Sequence, residues 1–217
     1  MFGFVVGLAA EARIAARFGG YAVRIGGGTP EGATDAANQL VEQGATALVS
    51  FGFAGGLDPA LRAGTIVVPA FVLSEGASYA ADPALAARFG GLTGHHLMAG
   101  TGVAADAVTK LGLYATTRAH AIDLESGSVA RVAQVHGLPF VAVRAISDPA
   151  DRDLPPAALL ALDRQGGVDL VRVLGCLVRQ PGQLRGLLRL AWDAARARRA
   201  LVRLTRVGLV RAGAVSG

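Results

Sequence analysis

A single cysteine, Cys176, leaves the chain unable to form an internal disulfide or a cysteine-based metal cluster. Long uncharged apolar runs are also missing: none approaches the ~20 residues of a membrane-spanning helix. The N-terminus lacks a basic stretch and meets Glu11 and Arg13 too early for a secretory signal. The expected location is therefore the cytoplasm. Acidic residues are almost absent from the end of the chain. From Arg179 to Gly217 there are nine arginines, no lysine and one acid, Asp193, a net +8. The whole chain is +5, which leaves −3 for residues 1–178. A near-neutral body with a basic tail suggests an attached surface-binding element.

Apolar residues are plentiful, at 52% with a mean hydropathy of +0.45. With 217 residues the chain is long enough for one domain with a large core. Strand-like and helix-like stretches alternate, which predicts one α/β domain. Strands are expected at 2–7, 21–25, 46–51, 65–73, 95–99, 121–124 and 140–146, and a glycine loop at 52–56. The stretch 8–18 is expected to begin as loop and continue as helix; further helices are expected at 31–43, 82–91, 104–114, 125–136 and 156–178, with an Arg-rich helix from 184 to 206. The catalytic body is assigned to residues 1–178 and the amphipathic tail to residues 179–217.

The stretch from Ala121 to Asp151 carries most of the chemistry. It reads as strand, helix, strand, with Gly137 and Pro139 ending the helix. Glu125 then lies at the end of one strand and Asp148 at the end of the next, with Arg144 and Ser147 nearby. Ligands of open α/β sheets bind at the carboxyl ends of strands. Each acid also has an ordinary explanation: Asp148 can cap the turn before Pro149, and Glu125 can favour a helix dipole.

The sequence D-L-E-S at Asp123–Ser126, followed by R-A-I-S-D at Arg144–Asp148, resembles the purine nucleoside phosphorylase and nucleosidase superfamily. Phe2–Ala15 is similar to that family's first strand and loop, and Ser50–Val68 to its Gly-rich stretch. The resemblance implies a three-layer fold with a central mixed, largely parallel sheet flanked by helices. It also implies cleavage of a purine N-glycosidic bond. Such cleavage requires a proton for the departing base and support for a cationic sugar, demands that paired carboxyls meet in glycoside hydrolysis.

On this resemblance Asp148 is the candidate acid for purine N7, and Glu125 the clamp for the ribose hydroxyls. Leu124 stands beside the sugar where a Met is common. Ser147, Phe53, Ala54 and Gly55 are further substrate-contact candidates, and Phe53 replaces a small hydroxylated residue. The position aligned with the hydrolases' water-activating acid is Ala12. Glu11, the candidate in that role, stands one residue early, which favours phosphorolysis. Arg13 and Gly28 are the candidate phosphate contacts. Phosphate is the expected co-substrate, with no cofactor and no metal; His95 and His96 face opposite ways on a strand and cannot share an ion.

The combination G-L-A-A-E-A-R-I-A, D-L-E-S and S-D-P-A-D-R-D-L-P-P-A-A resembles hopanoid-associated phosphorylases. That likeness implies phosphorolysis of adenosylhopane to adenine and phosphoribosyl hopane. The alternatives are a 5′-methylthioadenosine/S-adenosylhomocysteine nucleosidase and a non-catalytic, membrane-attached nucleoside-binding protein. A homodimer is expected, as among relatives. In the tail, Leu184, Leu187, Leu188, Ala191 and Trp192 form an apolar stripe flanked by arginines. It suits either an anionic surface of the inner membrane or packing on the protein's own body. Nucleic acid is not an expected partner, because aromatics are few and no binding module is recognisable.

Overall fold

The computed structural model describes residues 1–19, 21–159 and 181–213. Its strands are β1 Phe2–Val6, β2 Ala22–Ile25, β3 Ala47–Gly56, β4 Ile66–Val67, β5 Phe71–Ser74, β6 Ala77–Ala80, β7 His96–Ala99, β8 Ala121–Asp123 and β9 Phe140–Asp148. The helices are α1 Ala9–Ala15, α2 Pro30–Glu42, α3 Pro83–Ala87, α4 Ala107–Thr117, α5 Ser126–Val135, α6 Pro156–Leu159 and α7 Leu184–Gly213. Most of the helix expected at 156–178 lies outside the described residues.

All nine strands form one sheet in the order β2-β1-β3-β8-β7-β5-β6, with β9 beside β3 and β4 beside β9. The β1/β2, β1/β3, β3/β9, β5/β7 and β7/β8 pairs are parallel. The β3/β8, β4/β9 and β5/β6 pairs are antiparallel. The sheet is thus mixed and largely parallel, as the expected fold class requires.

Strand periodicity sorts side chains onto the two faces of this sheet. In β9, Phe140, Ala142 and Ile146 pack towards α2 and α5, against Ala33, Ala37, Leu40, Val129 and Ala133. Val141, Val143 and Ala145 point the other way, against Ile14, Leu85, Ala197 and Leu201 of α1, α3 and α7. A strand covered on both faces reads as an unbroken apolar run, with Arg144 the conspicuous exception. Local chemistry fixes the helix starts. Thr29 accepts a hydrogen bond from Gly32 N at 3.1 Å with Pro30 next, and Asp106 accepts from Thr109 N at 2.8 Å.

Two expectations are corrected. Residues 52–56 are not a loop: β3 continues through Gly56, paired with β9 and then with β8. Glycine is used there because side chains press on the strand; a Cβ on Gly52 would collide with the Glu11 carboxylate and the Arg144 guanidinium. The strand expected at 65–73 is two strands, broken at Pro69, which has no N–H for a ladder. The second continues into a hairpin with β6 through Glu75 and Gly76, both at positive φ (49° and 79°).

The tail helix α7 docks on the body. Ala197 and Leu201 are fully buried in the core on the α1 side, and Asp193 pairs with Arg152. The buried face is Asp193, Ala197, Leu201 and Thr205, a four-residue spacing. The apolar stripe read from the sequence lies elsewhere: Leu184, Leu188 and Trp192 are 50%, 53% and 64% exposed. Among the described residues no helix is long and apolar enough to cross a membrane.

Candidate active site

Arg144 organises the site. Its position in β9 places it on the face covered by α5, where Ser50 of β3 and the start of α5 meet it. It is 1% exposed, ion-paired to Asp123, and donates to Ser50 Oγ at 2.6 Å and Ser126 Oγ at 3.0 Å. Its Nη2 also lies 3.9 Å from Glu125 Oε2. Burial works against the charge, but Asp123, Glu125 and Glu11 outweigh it and raise the pKa further. A buried guanidinium requires such partners, because an uncompensated charge there costs several kcal/mol.

Glu125 is 6% exposed at the junction of β8 and α5. Its Oε1 accepts from Gly28 N at 3.1 Å. A Cβ on Gly7 would lie 2.8 Å from Oε2, and one on Gly26 would lie 3.2 Å from Oε1. These two glycines therefore leave the room in which the carboxylate sits. Burial, offset in part by Arg144, pushes the Glu125 pKa up to about 7.

Glu11 is 3% exposed. It stands in the first turn of α1 and reaches back to the helix start. Oε2 accepts from Gly7 N at 2.9 Å and Leu8 N at 2.8 Å, which is helix-capping chemistry. Oε1 instead accepts from Phe53 N at 2.7 Å, 42 residues away. Burial raises its pKa, while Arg144 and the three N–H donors hold the rise back.

Asp148 ends β9. Burial raises its pKa, and Lys110 of α4, paired to Oδ2 at 2.6 Å, lowers it. The local reading of Asp148 as a turn cap is not what the structure shows; its partner is a lysine 38 positions earlier.

These side chains converge on one cavity of about 260 Å³. Glu11, Gly28, Phe53, Ala54, Gly55, Leu124, Glu125, Ser147 and Asp148 all line it. Apart from Asp123, its remaining wall is apolar, with Val103, Ile122, Leu154 and Leu190. A neighbouring hollow of about 370 Å³ shares Leu124 but none of the other candidate residues.

Two candidates do not serve as expected. Arg13 is exposed and absent from the cavity wall, with its Nε donating to Ala9 O at 3.3 Å, because helix α1 turns that side outward. Gly28 lines the cavity, but its N–H is given to Glu125 rather than left for phosphate. Sequence reasoning also missed Lys110, Asp123, Ser50 and Ser126. Lys110 carried a signal as the one lysine in the chain, and Asp123 and Ser126 stood in the D-L-E-S motif without being read as site residues.

The histidines stand apart. His96 N donates to His120 Nδ1 at 3.0 Å, and His95 Nδ1 lies 2.7 Å from Thr93 Oγ1. Among the described residues no three His, Cys, Asp or Glu are grouped to hold a metal.

A sequence model of the phosphorylase superfamily matches residues 92–165, which include Glu125 and Asp148. No curated protein matches the sequence closely enough to add to this. Among solved structures, the futalosine hydrolase of Helicobacter pylori is similar, with a TM-score of 0.71 at 15% identity over 97% of each chain. The 5′-methylthioadenosine/S-adenosylhomocysteine nucleosidase of the same organism gives 0.67 at 16% identity, covering 94% of this chain and 97% of that one. The corresponding enzyme of Colwellia psychrerythraea, in complex with adenine, gives 0.64 at 17% identity, covering 80% and 93%. At these identities the likeness is one of fold.

Proposed function

We propose that the protein cleaves the N-glycosidic bond of an adenosine-type nucleoside carrying an apolar 5′ substituent, with water as the attacking group. The observation that carries this reading is the convergence of Glu11, Glu125 and Asp148 on one cavity from three separate elements. Asp148 gives its proton to purine N7 while the bond from C1′ to the base breaks and its electrons enter the ring. Glu125 accepts hydrogen bonds from the ribose hydroxyls, and its negative charge favours the cationic sugar. Glu11 takes the proton from the water that attacks C1′. The apolar wall excludes bulk water, which strengthens each of these interactions.

Water is preferred to phosphate on electrostatic grounds. The two cations behind the wall, Lys110 and Arg144, are already held by carboxylates. A phosphate dianion would face the acids; one pair of like charges 4 Å apart costs about 4 kcal/mol at an effective dielectric of 20. The phosphorolytic reading has also lost Arg13 as a contact and the free N–H of Gly28.

Val103, Leu154 and Leu190 support an apolar 5′ group. Both adenosylhopane and 5′-methylthioadenosine fit that class. The exposed Leu184, Leu188 and Trp192, flanked by Arg185 and Arg189, support peripheral contact with an anionic membrane, where a lipid nucleoside would be met. A homodimer belongs to the same reading: Val103, Val108 and Leu111 are 51%, 81% and 43% exposed, an apolar face on and before α4.

The test is adenine release from each nucleoside, with and without phosphate, and identification of the sugar product. Free ribosyl product at an unchanged rate without phosphate is the expected result. Phosphate-dependent turnover to a sugar phosphate would replace water by phosphate. Adenine from neither nucleoside would leave the non-catalytic binding reading in its place.

A further inference from the structure

The chain contains twenty arginines and one lysine. That lysine, Lys110, is 0% exposed. It stands on α4, a helix that turns Val108 and Leu111 outward and packs Leu113 and Tyr114 inward. All of its contacts lead to one place. Its Nζ lies 2.6 Å from Asp148 Oδ2 and donates to Pro149 O at 3.2 Å and Arg152 O at 2.7 Å. The ammonium therefore grips both the Asp148 carboxylate and the backbone that follows it. Among the described residues Asp148 Oδ1 has no such bond, and the carboxyl lines the cavity.

Resting on the glycosidic reading above, we propose that Lys110 is a positioning residue for the leaving-group acid: it fixes the Asp148 carboxyl and sets how readily that carboxyl gives up its proton. Three donors in one ammonium satisfy three oxygens of Asp148, Pro149 and Arg152 at once. An arginine fork, longer and planar, does not match that trio, which accounts for a lysine in a chain that otherwise uses arginine.

The energetics point the same way. An isolated carboxyl in an apolar wall holds its proton firmly and is a weak acid. An ammonium against Oδ2 stabilises the carboxylate that remains once N7 has taken the proton. Other charges also face Asp148. Asp193 of α7 and Arg152 act on it with opposite signs and are paired to each other. Asp151, Asp153 and Arg189 line the hollow on its far side. Lys110 is the one in direct contact.

The test is a double-substitution cycle, Lys110→Met, Asp148→Asn and both together, assayed with 5′-methylthioadenosine across pH. Lys110→Met alone should lower kcat at least ~10-fold, within the range of general-acid effects, with KM little changed. Its basic limb should move up by about one pH unit, because Asp148 then keeps its proton longer. In the Asp148→Asn background the same substitution should cost nothing further. An equal loss in both backgrounds, or an unmoved basic limb, would overturn the proposal and leave Lys110 a structural residue. If Asp148→Asn by itself leaves turnover intact, it is the glycosidic reading that fails. Lys110→Gln, neutral but still a donor, guards against a folding defect and should show the same limb shift. Failure of every Lys110 variant to fold, the paired one included, would also count against the proposal.

Discussion

Replacing Glu125 by Gln separates the electrostatic cost of the site from its packing. Burial pushes this carboxyl from an ordinary 4.5 up to about 7. The folded protein thus binds the Glu125 proton more tightly than the unfolded chain does. Stability from this group is full below pH 4.5 and is lost as pH rises through 7. Two and a half pH units correspond to about 3 kcal/mol, of which about 2.5 kcal/mol falls between pH 5 and pH 8. Gln is nearly isosteric and has no proton to lose, so the variant lacks this component of the slope. Glu11 and Asp148 are also raised by burial and give slopes of the same sign in both proteins. The informative quantity is therefore the difference between variant and parent. Urea unfolding followed by circular dichroism at pH 5, 6, 7 and 8 should show the variant gaining on the parent by about 2.5 kcal/mol. In thermal melts that is roughly 5–10 °C for a domain of this size. A stability difference that stays flat across this range would refute the claim that the Glu125 pKa is shifted by its surroundings.

The other predictions address chemistry, backbone, core and tail. Asp148→Asn should lower turnover at least ~100-fold while adenine binding by calorimetry is retained, since the acid and not the pocket is removed. For the parent, kcat/KM should rise with pH on an acid limb near pH 7, because the ribose clamp needs Glu125 ionised; a flat profile from pH 5 to 8 would remove that role. Gly52→Ala should destabilise the protein and abolish activity, as the new methyl would collide with Glu11 and Arg144; crystals showing the pair undisturbed would contradict this. Leu201→Ala should cost about 2–5 kcal/mol in urea unfolding if α7 is part of the core, and under 1 kcal/mol if it is not. Leu188→Ser with Trp192→Ser should abolish sedimentation with phosphatidylglycerol vesicles without lowering Tm; unchanged sedimentation would end the membrane reading.

Much of the architecture was legible because burial imposes a period on sequence. The apolar run of β9 read correctly as a strand, and Gly137 and Pro139 marked the end of α5. The glycines at 52, 55 and 56 misled: glycine serves turns and close approaches alike, and only the Glu11 and Arg144 side chains reveal which applies. The tail offered one conspicuous apolar stripe with helical spacing. Composition favoured Leu184, Leu188 and Trp192, yet the body receives Ala197 and Leu201, because small and medium residues let the helix approach the sheet. Arg13 looked like an anion contact until the rotation of α1 turned it outward and Glu11 inward.

The sequence by itself determined the alternation of elements, the two acids at strand ends and the charge asymmetry of the tail. Each follows from residues within one element, where spacing alone dictates which side chains share a face. The tertiary structure decided the rest: Lys110 against Asp148, Arg144 among Asp123, Ser50 and Ser126, and Glu11 on the N–H of Phe53. Those pairings join residues far apart in the chain. Their strength comes from exclusion of water, a property of the assembled cavity that no local stretch of sequence possesses.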